Sequence, residues 1–362
     1  MKKSFFRFTA LLSVTVIIIL FSACGNGKNI LKTDEISSNI TQTSVILNNS
    51  LEDTDIYENF SKKFNPLFTV PGLFEGVIPQ SICYIEDLNS YVISGYYEKA
   101  ELPSVAMVIN KNGKLEKSHT LKNVDGSYYY GHAGGIACSG DYIFITSDSE
   151  CYVISVDTLK KTESGKSLQF ESNFKLNTLG SFAAYNNNVL WIGDFIESSK
   201  SARENVKNVT TIQSGETFYA YCEGYILEDG LPDVKKINSQ QNGYIPDYYV
   251  AIPEQVQGMS FTASGKTVFS TSYGRKNDSK IYVYDDALLY DSVGVIKIDK
   301  TDVEIHTFSS EILKETIIAP PMTEGICTVD NELVLLFESG ASKYRQHGGK
   351  YPLDTVFTSN IE

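Results

Sequence analysis

Tryptophan occurs once in the 362 residues, histidine four times and methionine four times, and after residue 20 no apolar run is long enough to cross a bilayer as a helix. A polytopic membrane protein is thereby excluded. Basic residues are scarce, 31 Lys and Arg against 44 Asp and Glu, and the net charge of −13 offers no general field to a nucleic-acid backbone. No nucleic-acid partner is expected. The six cysteines form no CxxC pair and no zinc-type spacing. Neither GxSxG nor HExxH occurs. Gly265-Lys266-Thr267 ends like a phosphate loop, but Ser260 stands where the first glycine is required, and Gly165-Lys166-Ser167 fails in the same way at Lys160. Helical periodicity is nearly absent after Pro66. The overall composition, 42% hydrophobic and 21% charged, is that of a globular chain, which excludes disorder as the main state.

The N-terminus follows export grammar. Lys2, Lys3 and Arg7 precede an almost wholly apolar stretch, 8–20, which ends in Phe21-Ser22-Ala23-Cys24. That ending resembles the lipobox of bacterial lipoproteins. It implies a signal peptide over 1–23, cleavage before Cys24 and a diacylglycerol on the Cys24 thiol. An uncleaved anchor helix and an ordinary secretory signal are the alternatives, and each of them also exports the rest of the chain. Membrane attachment through the lipid, facing outside the cytoplasm, is the expected location. Removal of 1–23 takes three cations and no acids, moving the net charge from −13 to −16. Residues 24–62, rich in Asn, Ser, Thr, Asp and Glu, read as the acylated cysteine and a flexible tether. Residues 63–362 read as one domain.

Five cysteines then remain: Cys83, Cys138, Cys151, Cys222 and Cys327. The odd number leaves a free thiol if the others pair. Cys83, Cys138 and Cys327 each follow an apolar residue in a strand-like run and read as small buried hydrophobes.

From Pro66 onward, short β-branched and aromatic runs such as 105–110 and 142–146 alternate with Gly, Asn, Asp and Ser, an all-β pattern. Asn112-Gly113 and Asp229-Gly230 mark hairpins between such runs. One unit recurs, opening with a small polar pair and an apolar residue: Gln80-Ser81-Ile82, Gly134-Gly135-Ile136, Gly180-Ser181-Phe182, Gln257-Gly258-Met259 and Glu324-Gly325-Ile326. Such repetition predicts a β-propeller, five blades being preferred over six, with tandem β-sandwiches as the alternative architecture. Segments 197–217 and 232–249 read as insertions. Segment 354–361 is expected to pair with the first blade or to begin a sixth.

The openings also nominate a site. Gln80, Gln257 and Glu324 hold matching positions, and His132 lies among the glycines of 131–135, where an imidazole would face the central axis. These four residues are the candidate axial pocket. The competing reading has His132 bonding a neighbouring blade's backbone. No cofactor is expected and no metal ligands are assigned. Calcium held by Glu324, Asp148, Asp194 and Glu338 from separate blades is the one metal left open, by analogy with propellers that hydrolyse lactones. The 23 tyrosines suit a sugar or peptide surface, or else the filling of blade interfaces.

Met322-Thr323-Glu324-Gly325-Ile326, followed by Leu335-Leu336-Phe337-Glu338-Ser339-Gly340 and Lys343-Tyr344-Arg345, resembles the blades of plant-type glutaminyl cyclases. Gln257-Gly258-Met259 with Ser270-Thr271-Ser272-Tyr273-Gly274-Arg275 is similar. These relatives are five-bladed propellers that cyclise N-terminal glutamine. The resemblance implies that Glu338 transfers protons, although the family walls its pocket with several tryptophans and this chain has Trp191 alone. Segments 131–136, 256–261 and 270–275 also resemble bacterial secreted propellers of unassigned function. The expected role is a cell-surface binding module for a peptide, glycan or protein. The alternative is an enzyme of the cyclotransferase or lactonase sort working through axial carboxylates.

Overall fold

Strands in this chain are apolar on both faces. Ser90–Tyr97 is buried at all but one of its positions and Thr267–Thr271 at every one. Such strands need cover on either side, which a ring of stacked sheets supplies. A computed structural model describes residues 36–46, 55–206, 208–239 and 241–361. The signal segment 1–23 and the acylation site Cys24 lie outside the described residues. Among those described, no helix is long and apolar enough to cross a membrane.

Five sheets of four or more strands carry the fold. Their innermost strands are Val77–Ile85, Gly135–Cys138, Phe182–Asn186, Val256–Phe261 and Thr323–Val329. Each is packed beside the next, and the last beside the first. The result is a closed β-propeller. Within each blade the strands run antiparallel outward, as Val77–Ile85, Ser90–Tyr97, Val105–Asn110 and Leu115–Lys122 do in the first.

The repeated small residue in each opening has a direct cause. A Cβ on Gly325 would stand 2.6 Å from the Ser81 Cα of the neighbouring blade, and one on Gly258 would stand 2.8 Å from the Ile326 nitrogen. Inner strands therefore meet backbone to backbone at this position. Gly325→Ala is expected to cost roughly 1–3 kcal/mol through overpacking, read as a lowered Tm. Gly294→Ala, with nothing within 4 Å, is the control and should leave Tm nearly unchanged.

Closure differs from the expectation for 354–361. Thr355–Ser359 is the third strand of the fifth blade and pairs with Glu332–Phe337 on one side. On the other side it pairs with the N-terminal strand Phe64–Thr69. It neither joins the first blade nor starts a sixth. The outermost position is already filled from the beginning of the chain.

The flexible tether expected through residue 62 is also corrected. Gln42 Nε2 donates to the Thr69 and Gly113 carbonyls at 2.7 and 2.6 Å, while its Oε1 accepts from Leu115 N at 2.8 Å. Asp354 Oδ2 accepts from Ser44 Oγ, Val45 N and Ile46 N at 2.7, 2.8 and 3.1 Å. The short helix Glu58–Lys63 buries Phe60 among Phe64, Phe337 and Phe357. Described residues well before 63, in 36–46 and 55–62, are thus held against the propeller.

The two insertions behave differently. Segment 197–217 carries the helix Lys200–Glu204 and the ribbon of Thr210–Thr211 with Thr217–Phe218. From 232–249, Gly243–Tyr244 adds in parallel to the outer strand of the second blade. A hairpin of Gly294–Ile298 and Thr301–Thr307, leaving the fourth blade, extends the third. Both hairpin dipeptides take positive φ at Gly113, Asp229 and Gly230, as a tight turn demands. The five cysteines described are all free thiols.

Candidate functional site

The first residue of every opening reaches the same place. Gln80, Gly134, Gly180, Gln257 and Glu324 all line one cavity of about 390 Å³ at the axis. Residues at the ends of the second strands complete its wall: Tyr96, Asp148, Phe195 and Glu338. Tyr344 enters from the short helix Ser342–Gln346, which lies between the second and third strands of the fifth blade. His132 is there too, so Gln80, His132, Gln257, Glu324 and Glu338 are brought together. A second cavity, about 530 Å³, opens at the other end of the inner strands and is lined by Cys83, Cys138 and Cys327 among others.

The chemistry concentrates on two carboxyls. Glu324 is only 3% exposed and hydrogen-bonds the Glu338 carboxyl. Gln80 Nε2 donates to Glu338 Oε2 at 3.2 Å and to the Pro79 carbonyl at 2.9 Å. Tyr344 lies in the same wall, and its hydroxyl favours the ionised form of Glu338. Burial raises both carboxyls, and the Glu338 charge raises Glu324 further. Hydrogen bonds from Tyr344 and Gln80 hold back the rise at Glu338, which reaches about 7. Two carboxyl groups held this close favour keeping a proton between them over ionising together.

His132 lies open to the cavity, its ring 4.4 Å from that of Tyr96. Its backbone N–H donates to Ser147 Oγ at 3.2 Å, and Ser147 in turn donates to Asp148 at 2.8 Å. Loss of water around the ring lowers the His132 pKa, with Asp148 pulling the other way. The imidazole is therefore neutral at pH 7. Burial first, and the Glu338 charge second, push the Tyr96 hydroxyl up to about 12.

The proposed calcium donors do not fit one ion. Asp194 accepts from Leu179 N at 2.6 Å and Tyr221 N at 3.3 Å, while Glu324 and Glu338 are spent on each other. Among the described residues no three His, Cys, Asp or Glu side chains converge on a point that could hold a cation. Behind the cavity wall Glu223 is fully buried. It accepts from Asn177 Nδ2 at 2.6 Å, Asn177 N and Thr178 Oγ1 at 3.2 Å and Tyr225 Oη at 3.0 Å. Asp194 and Glu223 thus pin the 177–179 turn, whose Leu179 faces the cavity.

Sequence reasoning missed Tyr96, Phe195 and Tyr344 as wall residues. Strand-end register would have found the first two, since Glu338, Tyr96 and Phe195 all lie at or just after the end of the second strand of their blades. Nothing in the sequence signalled Glu223. Trp191 packs on Tyr248, its ring 5.7 Å away, and not in the cavity.

Neither a family profile nor a curated protein matches this chain. Among solved structures it is similar to the PQQ-bound aldose sugar dehydrogenase from Streptomyces coelicolor, at 12% identity and a TM-score of 0.44, covering 82% of this chain and 97% of that one. It is similar also to a putative oxidoreductase (glucose dehydrogenase) from Thermus thermophilus, at 9%, 0.40, 82% and 99% in the same order. BamB from Moraxella catarrhalis matches at 8%, 0.33, 89% and 98%. At such identities the likeness concerns shape alone, and the chemistry of the cavity rests on its own residues. By its ring of five inner strands and their radiating sheets, the chain is a β-propeller.

Proposed function

We propose that this protein is an exported propeller held at the membrane by a lipid on Cys24, and that its axial cavity binds a small polar ligand on which the Glu324–Glu338 pair performs acid–base chemistry. The single observation behind the chemical part is the placing of two carboxyls, Glu324 and Glu338, in one cavity wall, with Gln80 donating to the latter. A carboxyl whose affinity for protons lies near neutrality both accepts and returns a proton at little cost in driving force.

The resemblance over 322–345 supports a specific form of this reading, cyclisation of an N-terminal glutamine. The amine nitrogen attacks the side-chain amide carbon, Glu338 takes the amine proton and passes it to the departing nitrogen, and ammonia leaves as the C–N bond breaks. Tyr96, Phe195 and Tyr344 supply the aromatic wall that tryptophans supply in that family. A capture module for a peptide, glycan or protein is the second reading, favoured by the same tyrosines, which offer an apolar face and a hydroxyl.

The test gives the exported protein a set of N-terminal-glutamine peptides and lactones and weighs the products by mass spectrometry. Turnover that falls roughly 10²–10⁴-fold in Glu338→Gln supports the acid–base reading. A peptide or glycan that raises Tm without being converted supports capture. Binding that survives replacement of both Gln257 and His132 by alanine would sink the site itself.

A further inference from the structure

Two cations stand beside Tyr344, a residue of the cavity wall. Arg275, in the loop between the second and third strands of the fourth blade, places its guanidinium 5.2 Å from the Tyr344 ring centre. It also donates to the His347 carbonyl at 3.0 Å. Lys343 Nζ lies 5.5 Å from the same ring. Several other lysines meet carboxylates, as Lys63 meets Glu315 and Lys314 meets Asp285. Among the described residues, neither Lys343 nor Arg275 has a carboxylate at ion-pair distance.

Two cations gathered beside one aromatic ring concentrate positive charge there, which an anion would complement. Lys343 acts on the cavity as well, since its charge bears on both Glu338 and His132. The protein as a whole carries −13 and repels anions at long range, so a local reversal of sign at the mouth selects at short range. An arginine fork matches the two oxygens of a carboxylate or phosphate, and a lysine adds a point charge.

We propose that Lys343 and Arg275 form an anion subsite at the mouth of the axial cavity, so that its ligand carries a carboxylate or phosphate while the remainder reaches Glu324 and Glu338. This rests on the reading of the cavity as a ligand site. A volume of about 390 Å³ accommodates a small molecule of this kind.

The probes are 4-phenylbutyrate, its uncharged carboxamide and inorganic phosphate, titrated calorimetrically into the full exported protein at low ionic strength, where charge is least screened. The carboxylate should bind on the order of tenfold more tightly than the amide, a typical gain for a charge-assisted contact. Lys343→Gln and Arg275→Gln should each erode that preference and together abolish it. Lys297→Gln, on the edge hairpin of the third blade, should leave it intact. Arg275→Lys, which keeps the charge and loses the fork, should keep part of it.

Phosphate that displaces the carboxylate but not the amide shows that the subsite takes either anion, and phosphate without effect restricts it to carboxylates. Equal affinity of acid and amide, no binding by either, or a preference that survives the double variant overturns the proposal. So does tight binding of polyphosphate that the small acid cannot displace, which would make the rim a polyanion surface. Glu338→Gln separates the two readings. If it leaves turnover untouched while the acid preference persists, the acid–base role falls and the subsite stands; if turnover collapses and no acid preference exists, the reverse holds.

Discussion

Acidification from pH 8 to pH 5 is expected to stabilise this protein by several kcal/mol, against the usual trend for carboxylates that are ion-paired when folded. The source lies in the wall of the cavity. Burial pushes Glu223 to about 7 and Asp194 to about 6, and neither has a cation beside it. The folded state therefore holds protons in a window where the unfolded chain has released them, and stability falls as pH rises. The contribution is fully present below about pH 4, where the unfolded carboxyls are also protonated, and is lost as pH passes through about 6 to 7. At roughly 1.4 kcal/mol per pKa unit, each group contributes about 3 kcal/mol.

Glu324 and Glu338, also raised by burial, add to the same slope. His119 and His132 oppose it, because burial lowers both and whatever they contribute is lost as pH falls through their folded values. Their shifts are the smaller ones. Melting curves at pH 8, 6.5 and 5 check the balance, and Glu223→Gln should flatten the slope. A Tm that climbs steadily from pH 5 to pH 8 would contradict it.

Phe60→Ala should lower stability by about 3–5 kcal/mol, the cost of removing a large ring from a packed site. Phe60 is 1% exposed and touches three other rings: Phe64 stacked at 4.6 Å, Phe357 at 5.5 Å and Phe337 at 5.9 Å. At roughly 2–4 °C per kcal/mol for a chain of this size class, Tm should drop on the order of 10 °C. An unchanged Tm would mean that the helix Glu58–Lys63 detaches at no cost and that the tether does extend through residue 62. A chain beginning at residue 64 should fare worse than the point variant, since it lacks Tyr57, Phe60 and the Gln42 and Asp354 clamps together.

The blade openings were legible because two physical demands fall on adjacent residues. The second residue must be small where inner strands touch, as at Gly258 and Gly325, and the first faces the axis, so Gln80, Gln257 and Glu324 share a cavity. The N-terminal segment was not legible. Its anchors, Ile40, Tyr57 and Phe60, are isolated apolar residues in a polar stretch, with no period to betray them, and Gln42 contributes through hydrogen bonds alone. Glu223 was hidden for a related reason. Its donors, Asn177 and Thr178, lie 46 and 45 residues earlier in the chain, and nothing local to the strand Ala220–Glu228 marks the position as buried. The exchange of the hairpin over 294–307 between blades is likewise a long-range event.

Ring closure has a consequence in time. The strand Phe64–Thr69 is made about 290 residues before its partner Thr355–Ser359. Until that partner arrives, a six-residue edge bearing Phe64, Leu67 and Phe68 stays unpaired and open to any other strand. Contacts between such distant parts of a chain form slowly. The fifth blade is therefore complete only once residue 359 has been made, and every copy interrupted before residue 355 keeps an adhesive seam where that clasp should lie.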